Sequence, residues 1–482
     1  MATTYYVDAS RPNDTGNGLT LATAKKTLNA AVNLMAGGDT LLVKAGTYNE
    51  RLNANTIPSG TGFPTGATTI QAYPGDSPTM MGNVWISAKS NIIWDGVNIN
   101  GINNGIPSAD SNQETYTNFY INGGSNITCR NCEIYNASKL NILTHDGNGV
   151  LSGILFSNLK VHDPGQGGWT SGTEPGNHNI YISAHTYTTG AITVNNCEVY
   201  NALGPGPASW GIHVYSTDVG FLNGVVVSNN YVHDNRQGLL IGSGDNHRAY
   251  NNVVANNNVS GSYAEAAITI GYGTFNNAQV YNNTIVGNNY AGMYGVSVGP
   301  WGNPTNSLIK NNILWQNGAD SINVASGSGT VASNNLMATD PLFNTGQYTL
   351  TSGSPARGYG VNLTSVFTTD KAGNTRPSSG AWDAGAYMYV SGKTDPTLSV
   401  TNSPQTYNGS SHAATVTGSV AGTVSNVKYN GSSTVPINAG TYAITADFVP
   451  TDTVNYNSLT AASAGNFVIN KATPTLSVTN SP

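Results

Sequence analysis

The stretch that decides the fold is GVVVSNNYVHDNRQGLLIGSGDNHRAYNNVV, residues 224–254. It contains one cycle of a repeated pattern. A β-branched run leads to Asn229, a polar turn follows at residues 233–235, a second apolar run spans residues 238–242, and the next cycle reaches Asn252. Short β-branched runs separated by Asn, Asp and Gly predict strands joined by turns.

The same pattern, apolar-x-apolar-x-Asn-x-x-apolar, recurs through the middle of the chain. Its asparagines are Asn131, Asn158, Asn196, Asn229 and Asn252, with looser copies at Asn283, Asn312 and Asn335. Because a repeat every roughly 20–50 residues indicates a solenoid, we expect coils stacked about 4.8 Å apart. The asparagine at each bend is then expected to hydrogen-bond to the equivalent asparagine of the next coil.

A second strand follows the first turn of each coil. These strands are predicted at residues 139–143, 179–183, 211–215, 238–242, 267–271, 295–299 and 321–325. Alternation directs their apolar side chains inward. The outward column is Asn141, Tyr181, His213, Leu240, Thr269, Ser297 and Asn323, and its neighbour is Leu143, Ser183, Tyr215, Gly242, Gly271 and Gly299. The prediction is a flat, solvent-facing parallel sheet that forms the floor of a long groove.

Residues 1–52 predict an N-terminal cap. Residues 24–35 place apolar side chains at helical spacing, and Gly37 follows as a stop signal. The apolar positions are Leu28, Ala31, Val32 and Met35. This helix and the strand GDTLLVKAGTY at residues 38–48 resemble the cap of secreted right-handed parallel β-helix proteins. Such a cap covers the open end of the first coil.

The far end of the repeat carries four motifs that also resemble β-helix proteins. DPLF (340–343), SGSPA (352–356), DKAGNTRP (370–377) and DAGAY (383–387) are similar to the C-terminal closure of bacterial secreted proteins of the pectate-lyase-like superfamily. The resemblance implies an all-β fold, with a right-handed parallel β-helix (solenoid) over residues 53–389.

The composition changes after a predicted linker at residues 390–394. Residues 395–470 alternate Thr, Ser and Val with Asn-Gly turns, which predicts a small Ig-like β-sandwich. The series that includes AGTYAITADF (439–448) resembles the MBG-type modules of bacterial surface proteins. Residues 471–482 begin a second, truncated module. The chain is therefore expected to be part of a longer, secreted or cell-surface, multi-modular protein and to be monomeric within it.

Composition excludes several other functions. Charged residues make up 9% of the chain, the formal net charge is −6, and the 18 lysines and arginines form no cluster, which argues against a nucleic-acid partner. No apolar run is long enough for membrane insertion. The N-terminus MATTYYV is not a signal peptide, and we expect that a signal was removed and Met1 added. A polysaccharide is the expected partner.

The central coils hold the candidate chemistry. β-Elimination on an acidic sugar requires a cation for the uronate carboxylate, a base for the C5 proton and an acid for the leaving oxygen. We expect His213 to be the base, Arg236 the cation, and Tyr215 or Tyr181 the acid, with His178 beside them. His162 and His233 occur in "VHD" turns and are interpreted as turn residues.

Neighbouring side chains are expected to bind the substrate. They are Trp210, Trp169, Tyr187, His185, His247, Arg248 and Tyr272. Asp218, Asp245 and Glu265 are candidates for a Ca²⁺ site, although the sequence contains no diagnostic acidic cluster.

Three functions are compatible with this pattern. A polysaccharide lyase that acts on a uronate-containing glycan is favoured. A glycoside hydrolase on the same scaffold would use paired carboxylates. A non-catalytic carbohydrate-binding surface adhesin would use the groove only for binding. The fold by itself does not decide between them.

Overall fold

A computed structural model describes residues 2–54, 56–102, 116–166, 176–185, 189–203, 209–216, 222–257, 265–273, 275–290, 292–453 and 455–479. The chain divides into two compact units, Met1–Tyr389 and Val390–Pro482. The first is a parallel β-helix, as predicted. The finer division, with a linker at residues 390–394 and a second module from residue 471, stays a prediction.

The β-helix has three strand stacks, here called faces 1, 2 and 3. Face 1 contains Leu140–His145, Ile180–Ile182, Trp210–Val214, Gln237–Ile241, Ala266–Ile270, Tyr294–Val298 and Ala319–Val324. Face 2 contains Thr4–Val7, Thr40–Val43, Thr68–Ala72, Leu151–Ser157, Ile192–Asn195, Val226–Ser228, Arg248–Tyr250, Gln279–Tyr281, Leu308–Lys310 and Val331–Ser333. Val84–Asp95 and Thr117–Arg130 run through both faces, which joins them into one 19-stranded sheet.

Face 3 is an 11-stranded sheet. It contains Thr47–Tyr48, Thr79–Met81, Asn98–Asn100, Glu133–Tyr135, Lys160–His162, Glu198–Tyr200, Tyr231–His233, Val253–Ala255, Thr284–Val286, Ile313–Trp315 and Leu336–Met337. A small parallel pair, Gly244–Asp245 and Phe275–Asn276, lies in the turns between faces 1 and 2.

The N-terminal helix is shorter than predicted. The α-helix covers only Leu28–Val32, with Thr27 as its N-cap, and a 3₁₀ turn occupies Leu21–Thr23. Lys25 instead hydrogen-bonds in extended conformation to Tyr6, so strand pairing outcompetes the helical pattern there. Leu28, Ala31 and Val32 are nevertheless buried in the core, as the spacing predicted.

The repeated asparagines form two neighbouring columns, where the sequence pattern predicted one. In the first column the backbone turns with positive φ, which asparagine tolerates better than most residues. Its members include Asn131, Asn158, Asn196, Asn229, Asn251, Asn282, Asn311 and Asn334. The second column points inward. The predicted Asn252, Asn283, Asn312 and Asn335 belong to this inner column.

The inner column is a hydrogen-bonded ladder, here called the inner asparagine ladder. The Asn252 Nδ2 donates to Asn283 Oδ1 at 2.9 Å, and Asn283 Nδ2 donates to Asn312 Oδ1 at 3.0 Å. Each Oδ1 also accepts a backbone N–H of the preceding coil. A second ladder contains Asn118, Asn141, Asn179, Asn235, Asn257, Asn288 and Asn317. These contacts satisfy buried amides that would each cost about 1–3 kcal/mol if left unpaired.

The strand register of face 1 shows that the first residue of each predicted outward column is wrong. Leu143, and not Asn141, pairs with Tyr181, and Asn141 is fully buried in the second ladder. From Tyr181 onward the predicted order His213, Leu240 and Thr269 is confirmed. The sequence predicted that this outward column faces solvent. The prediction is wrong for Leu240, Thr269 and Ser297, which are all buried.

Residues 339–389, here called the closing segment, fold back onto faces 2 and 3. Arg376 is buried, and its Nη2 donates to Asn251 Oδ1 at 3.2 Å and to the Gly385 carbonyl at 2.9 Å. Trp382 packs in a cluster with Phe367 and Tyr281. The segment thereby covers the last coils.

The second unit is a small β-sandwich. Leu398–Val400 pairs with Val416–Gly418, and a four-stranded sheet holds Gln405–Thr406, Leu459–Asn470, Gly440–Pro450 and Gly422–Tyr429 in that order. Its core includes Ile444, Phe448 and Phe467. Within the described residues, no helix has the length and apolar character that a membrane crossing requires.

Candidate functional site on face 1

Five neighbouring rings cross the outer side of face 1, here called the ring band. Its members are Tyr181, His213, Tyr215, Tyr272 and Trp301. Ring centroids are 4.7 Å apart for Tyr181 and His213, and 5.4 Å apart for His213 and Tyr215. Tyr215 lies 5.0 Å from Tyr272, which stacks on Trp301 at 4.7 Å. All except His213 are partly exposed.

Glycines in the next coils make room for this band. A Cβ at Gly242 would lie 2.9 Å from the Val214 carbonyl oxygen and 3.3 Å from the Tyr215 ring, and one at Gly271 would meet Pro300 at 3.4 Å. The predicted Gly242, Gly271 and Gly299 column thus has a packing role beside the aromatic rings.

Two buried histidines, His178 and the ring-band member His213, form a directed hydrogen-bond chain. The Trp210 backbone N–H donates to His178 Nδ1 at 3.0 Å, and His178 Nε2 lies 3.0 Å from His213 Nδ1. Because a backbone amide can only donate, neutral His178 carries its proton on Nε2 and gives it to His213 Nδ1. Neutral His213 therefore carries its proton on Nε2.

Burial keeps both histidines neutral. Desolvation, with His213 and Lys139 nearby, lowers the pKa of His178 well below its usual value. Burial lowers the pKa of His213 to about 3. His213 is 6% exposed, and its Nε2 has no hydrogen-bond partner among the residues whose placement is described.

These facts correct two expectations about His213. It does not face solvent, because neighbouring groups cover it. In this arrangement its Nε2 is a donor and its Nδ1 is occupied by His178, so neither nitrogen is a ready base. What the geometry offers is a buried N–H next to the ring band.

Arg236 and Glu265 are aligned in adjacent coils at the start of the face-1 strands. The pairing of Leu239 with Ile268 puts them in register, about 4.8 Å apart along the backbone. Trp210, and His178 in the coil before it, lie in register with Gln237, one position later. Burial lowers the pKa of the Arg236 guanidinium and raises that of the Glu265 carboxyl.

Tyr272 is the member of the ring band on which Glu265 acts. Burial raises the pKa of the Tyr272 hydroxyl, and the nearby Tyr215 and Glu265 raise it further. The Glu265 carboxyl therefore lies close enough to Tyr272 to act on it electrostatically. Rings and a carboxyl group therefore occur together at this part of face 1, and Arg236 lies in the coil that precedes Glu265.

The other predicted substrate-binding residues are dispersed. Trp210 is buried, with its ring 5.9 Å from His213. His185 Nε2 lies 2.7 Å from Ser183 Oγ, beyond the ends of the strands. Arg248 lies on face 2. Trp169 and Tyr187 lie outside the described residues.

His247 has a structural role that its sequence position did not reveal. Its Nδ1 accepts the Val225 N–H at 3.1 Å, and its Nε2 lies 3.2 Å from the Ser243 carbonyl oxygen. Both ring nitrogens are thus used within the turn. Burial lowers the pKa of His247 to about 4.

The described residues contain no cluster of three or more His, Cys, Asp or Glu side chains that fits a metal ion. Asp245 Oδ1 accepts the Asn276 N–H at 2.8 Å, and so stabilises the turn strands. Glu265 is a single carboxyl beside Tyr272, and Asp218 lies outside the described residues. The Ca²⁺ site predicted from these three residues has no support in the described geometry.

Trp301 is the ring-band member that the sequence prediction missed. It follows the strand Tyr294–Val298 after Gly299 and Pro300. Only the stacking on Tyr272 identifies it. A useful signal would have been the position shared by Tyr272 and Trp301, shortly after the end of their respective strands.

Comparisons with known proteins agree with this architecture. Residues 173–337 match the family described as right handed beta helix region, and residues 396–473 match the MBG domain. Among solved structures, pectate lyase Pel9A is 15% identical, with a TM-score of 0.51, and the alignment covers 80% of this chain and 96% of that chain. A search of curated proteins found no match.

Two other solved structures show weaker likeness. A protein titled glycoside hydrolase is 8% identical (TM-score 0.49, 69% of this chain, 96% of that chain). A lacto-N-biosidase from Eubacterium ramulus is 15% identical (TM-score 0.39, 70% of this chain, 68% of that chain). At 15% identity, the likeness to pectate lyase Pel9A shows the fold alone.

The chain is thus a right-handed parallel β-helix protein. More particularly, it is a β-helix protein that carries a C-terminal MBG domain. The predicted right-handed parallel β-helix fold and the resemblance of the C-terminal segment to an MBG module are confirmed.

Proposed function

We propose that the protein binds a polysaccharide along the ring band and cleaves it at a uronate residue by β-elimination. The observation that carries the proposal is the band itself. Partly exposed aromatic rings present apolar faces on which sugar rings stack. From the coil of Tyr181 to that of Trp301 the band extends roughly 20 Å at the spacing of stacked strands, long enough for several sugar rings.

The reaction uses the groups beside the band. Arg236 pairs with the uronate carboxylate, which makes the C5 proton more acidic. Glu265, whose carboxyl pKa is raised by burial, accepts that proton. The C4–O bond breaks as the C4–C5 double bond forms. Tyr215 protonates the leaving oxygen, and its ring is positioned by stacking on His213.

The proposal keeps the sequence-based expectation that the protein is secreted or on the cell surface, where such polymers occur. The solved structures similar in fold include proteins titled pectate lyase, glycoside hydrolase and rhamnogalacturonan lyase. These titles describe those proteins, and they support carbohydrate as the class of substrate here.

Incubation with a panel of uronate and neutral polymers tests the reaction. We expect ultraviolet absorbance of the unsaturated uronate product with uronate polymers only. Trp301→Ala should raise KM about fivefold, since one stacked ring contributes roughly 1 kcal/mol. New reducing ends without that absorbance would refute the lyase in favour of the hydrolase.

A binding protein without catalysis is the second candidate. The observation that favours it is the burial of His178 and His213, which leaves less exposed chemistry than expected from the sequence. Retention on an immobilised glycan, with neither unsaturated product nor reducing ends, would establish this alternative.

A further inference from the structure

A second cleft lies on face 3, where the closing segment folds against it. Face 3 contributes Tyr231 and Val253, and the closing segment contributes residues 346–349, Lys371 and Tyr387. Its volume is about 430 Å³. Small-molecule sites typically have roughly 300–1,000 Å³, so one or two sugar rings are a suitable size. None of its residues belongs to the ring band.

Lys371 is the cationic group in this cleft. Its Nζ donates to the Asn229 carbonyl oxygen, which anchors the side chain. No carboxylate of the described residues lies within ion-pair distance of it. Burial lowers the pKa of the ammonium to about 8, so it is still mostly protonated at neutral pH.

The nearest acidic residues are engaged elsewhere. Asp370, its neighbour in sequence, accepts the backbone N–H groups of Ala372, Asn374 and Met388 at 2.8–3.1 Å. Glu198 acts on Lys371 from a distance, but its carboxylate is hydrogen-bonded to His233 at 3.3 Å. A partly buried cation without a close counter-charge favours an anionic ligand.

Tyrosine rings form the remaining walls. The Tyr231 and Tyr348 ring centroids are 5.9 Å apart, and Tyr387 also lines the cleft. Burial raises the pKa of Tyr231 and of Tyr387, so both hydroxyls stay protonated. Ring faces, hydroxyl groups and the side chains of Gln347 and Thr349 fit the apolar faces and hydroxyls of a sugar.

We infer that the Lys371 cleft binds a single uronate residue, whose carboxylate pairs with Lys371 while its ring contacts the tyrosines. The cleft is a second carbohydrate site, on a different face from the ring band. It shares the substrate class of the proposed function but requires no turnover. Its role is to hold an acidic glycan on the protein independently of cleavage.

Competitive labelling of Lys371 tests the site directly. Acetylation at pH 8 with excess reagent should modify Lys371, whose side chain is partly exposed at the cleft. Mass spectrometry then quantifies acetyl-Lys371 with galacturonate or galactose present. We expect severalfold protection by galacturonate and none by galactose. Equal effects of the two sugars, or no protection, would overturn the inference. Neither monosaccharide can be cleaved, so a failed lyase assay leaves this test intact.

Variants separate the two sites. Lys371→Met should weaken galacturonate binding in calorimetry at least tenfold, whereas Lys371→Arg should retain it. Trp301→Ala should keep the protection of Lys371, and loss of protection there would place the ligand in the ring band instead. If Lys371→Met fails to fold by thermal unfolding, Tyr348→Ala replaces it. That variant removes one wall and should reduce protection severalfold, and unchanged protection would contradict the site.

Discussion

Faces 1 and 3 of the β-helix both carry stacked histidine and tyrosine rings, but with different partners. On face 3, His162 stacks between Tyr135 and Tyr200, with centroid distances of 5.1 and 4.6 Å. Its Nε2 lies 3.1 Å from Glu133 Oε1, and its Nδ1 lies 2.6 Å from Asp163 Oδ2.

The next face-3 histidine repeats this arrangement. His233 lies 3.3 Å from Glu198 and 2.7 Å from Asp234, again through both ring nitrogens. On face 1, His178 and His213 bond to each other instead, and burial lowers the pKa of both. A histidine held by two carboxylates has no ring nitrogen left for a ligand, whereas His213 keeps one N–H. The hydrogen-bond partners of the histidines, and not the residue type, therefore distinguish the face-3 histidines His162 and His233 from the candidate site on face 1.

The largest effect should come from removing the cation of face 1. Arg236→Met should lower kcat/KM on a uronate polymer by about 10²–10³-fold, because a group that stabilises developing charge is lost. Lys160→Met on face 3, where Lys160 pairs with Glu133, is the matched control and should leave the rate unchanged. Equal losses in both variants would remove the functional distinction between the faces.

His178→Ala should destabilise the fold strongly. It leaves the backbone N–H of Trp210 without its acceptor and His213 Nδ1 without its donor. We expect a loss of about 3 kcal/mol in the free energy of unfolding, measured by urea denaturation. A loss below about 1 kcal/mol would show that water replaces the missing hydrogen bonds, and that solvent reaches the space that His178 occupies.

Acid should destabilise the protein through the face-1 histidines. The pKa of His213 is about 3 when folded and near 6.5 when unfolded, so only the unfolded state takes up its proton between those values. The free energy of unfolding should therefore fall as pH drops from 6.5 toward 3, by up to about 1.4 kcal/mol per pH unit for each such histidine. Urea titrations at several pH values should show a flatter slope for His213→Asn. An unchanged slope would mean that His213 is charged in the folded state.

The smallest effect is expected on face 3. His233→Phe keeps the ring stack with Tyr200 but removes the contacts to Glu198 and Asp234, whose side chains are 44% and 47% exposed. Exposed pairs of this kind contribute less than about 1 kcal/mol. Urea denaturation measures the change. A loss as large as that of His178→Ala would contradict the small contribution to stability expected of these contacts.

Local patterns predicted the coils well, since period-two apolar runs and turn residues are encoded within a few positions. They failed where the signal was ambiguous. Adjacent identical residues such as Asn251 and Asn252 do not reveal which of the two turns the backbone and which points inward. The strand with Asn141 was misaligned by two residues, because nothing in KLNIL marks its pairing with Tyr181.

The candidate site was predicted in part. The pattern identified Tyr181 and Tyr215 because an outward column follows from alternation. It could not predict that His213 is covered, since burial depends on segments distant in sequence. The Lys371 cleft could not be predicted for the same reason, because Lys371 and Tyr231 come together only when the closing segment folds back.

The inner asparagine ladder has a consequence for how such a protein grows. Each interior rung donates its amide to the asparagine of the following coil and accepts at its side-chain oxygen from that of the preceding coil, as Asn283 does between Asn252 and Asn312. Inserting or deleting one whole coil therefore leaves no donor or acceptor orphaned within the ladder. Duplication of a gene segment that encodes one coil would lengthen the binding face by one strand spacing while keeping the buried hydrogen bonds complete.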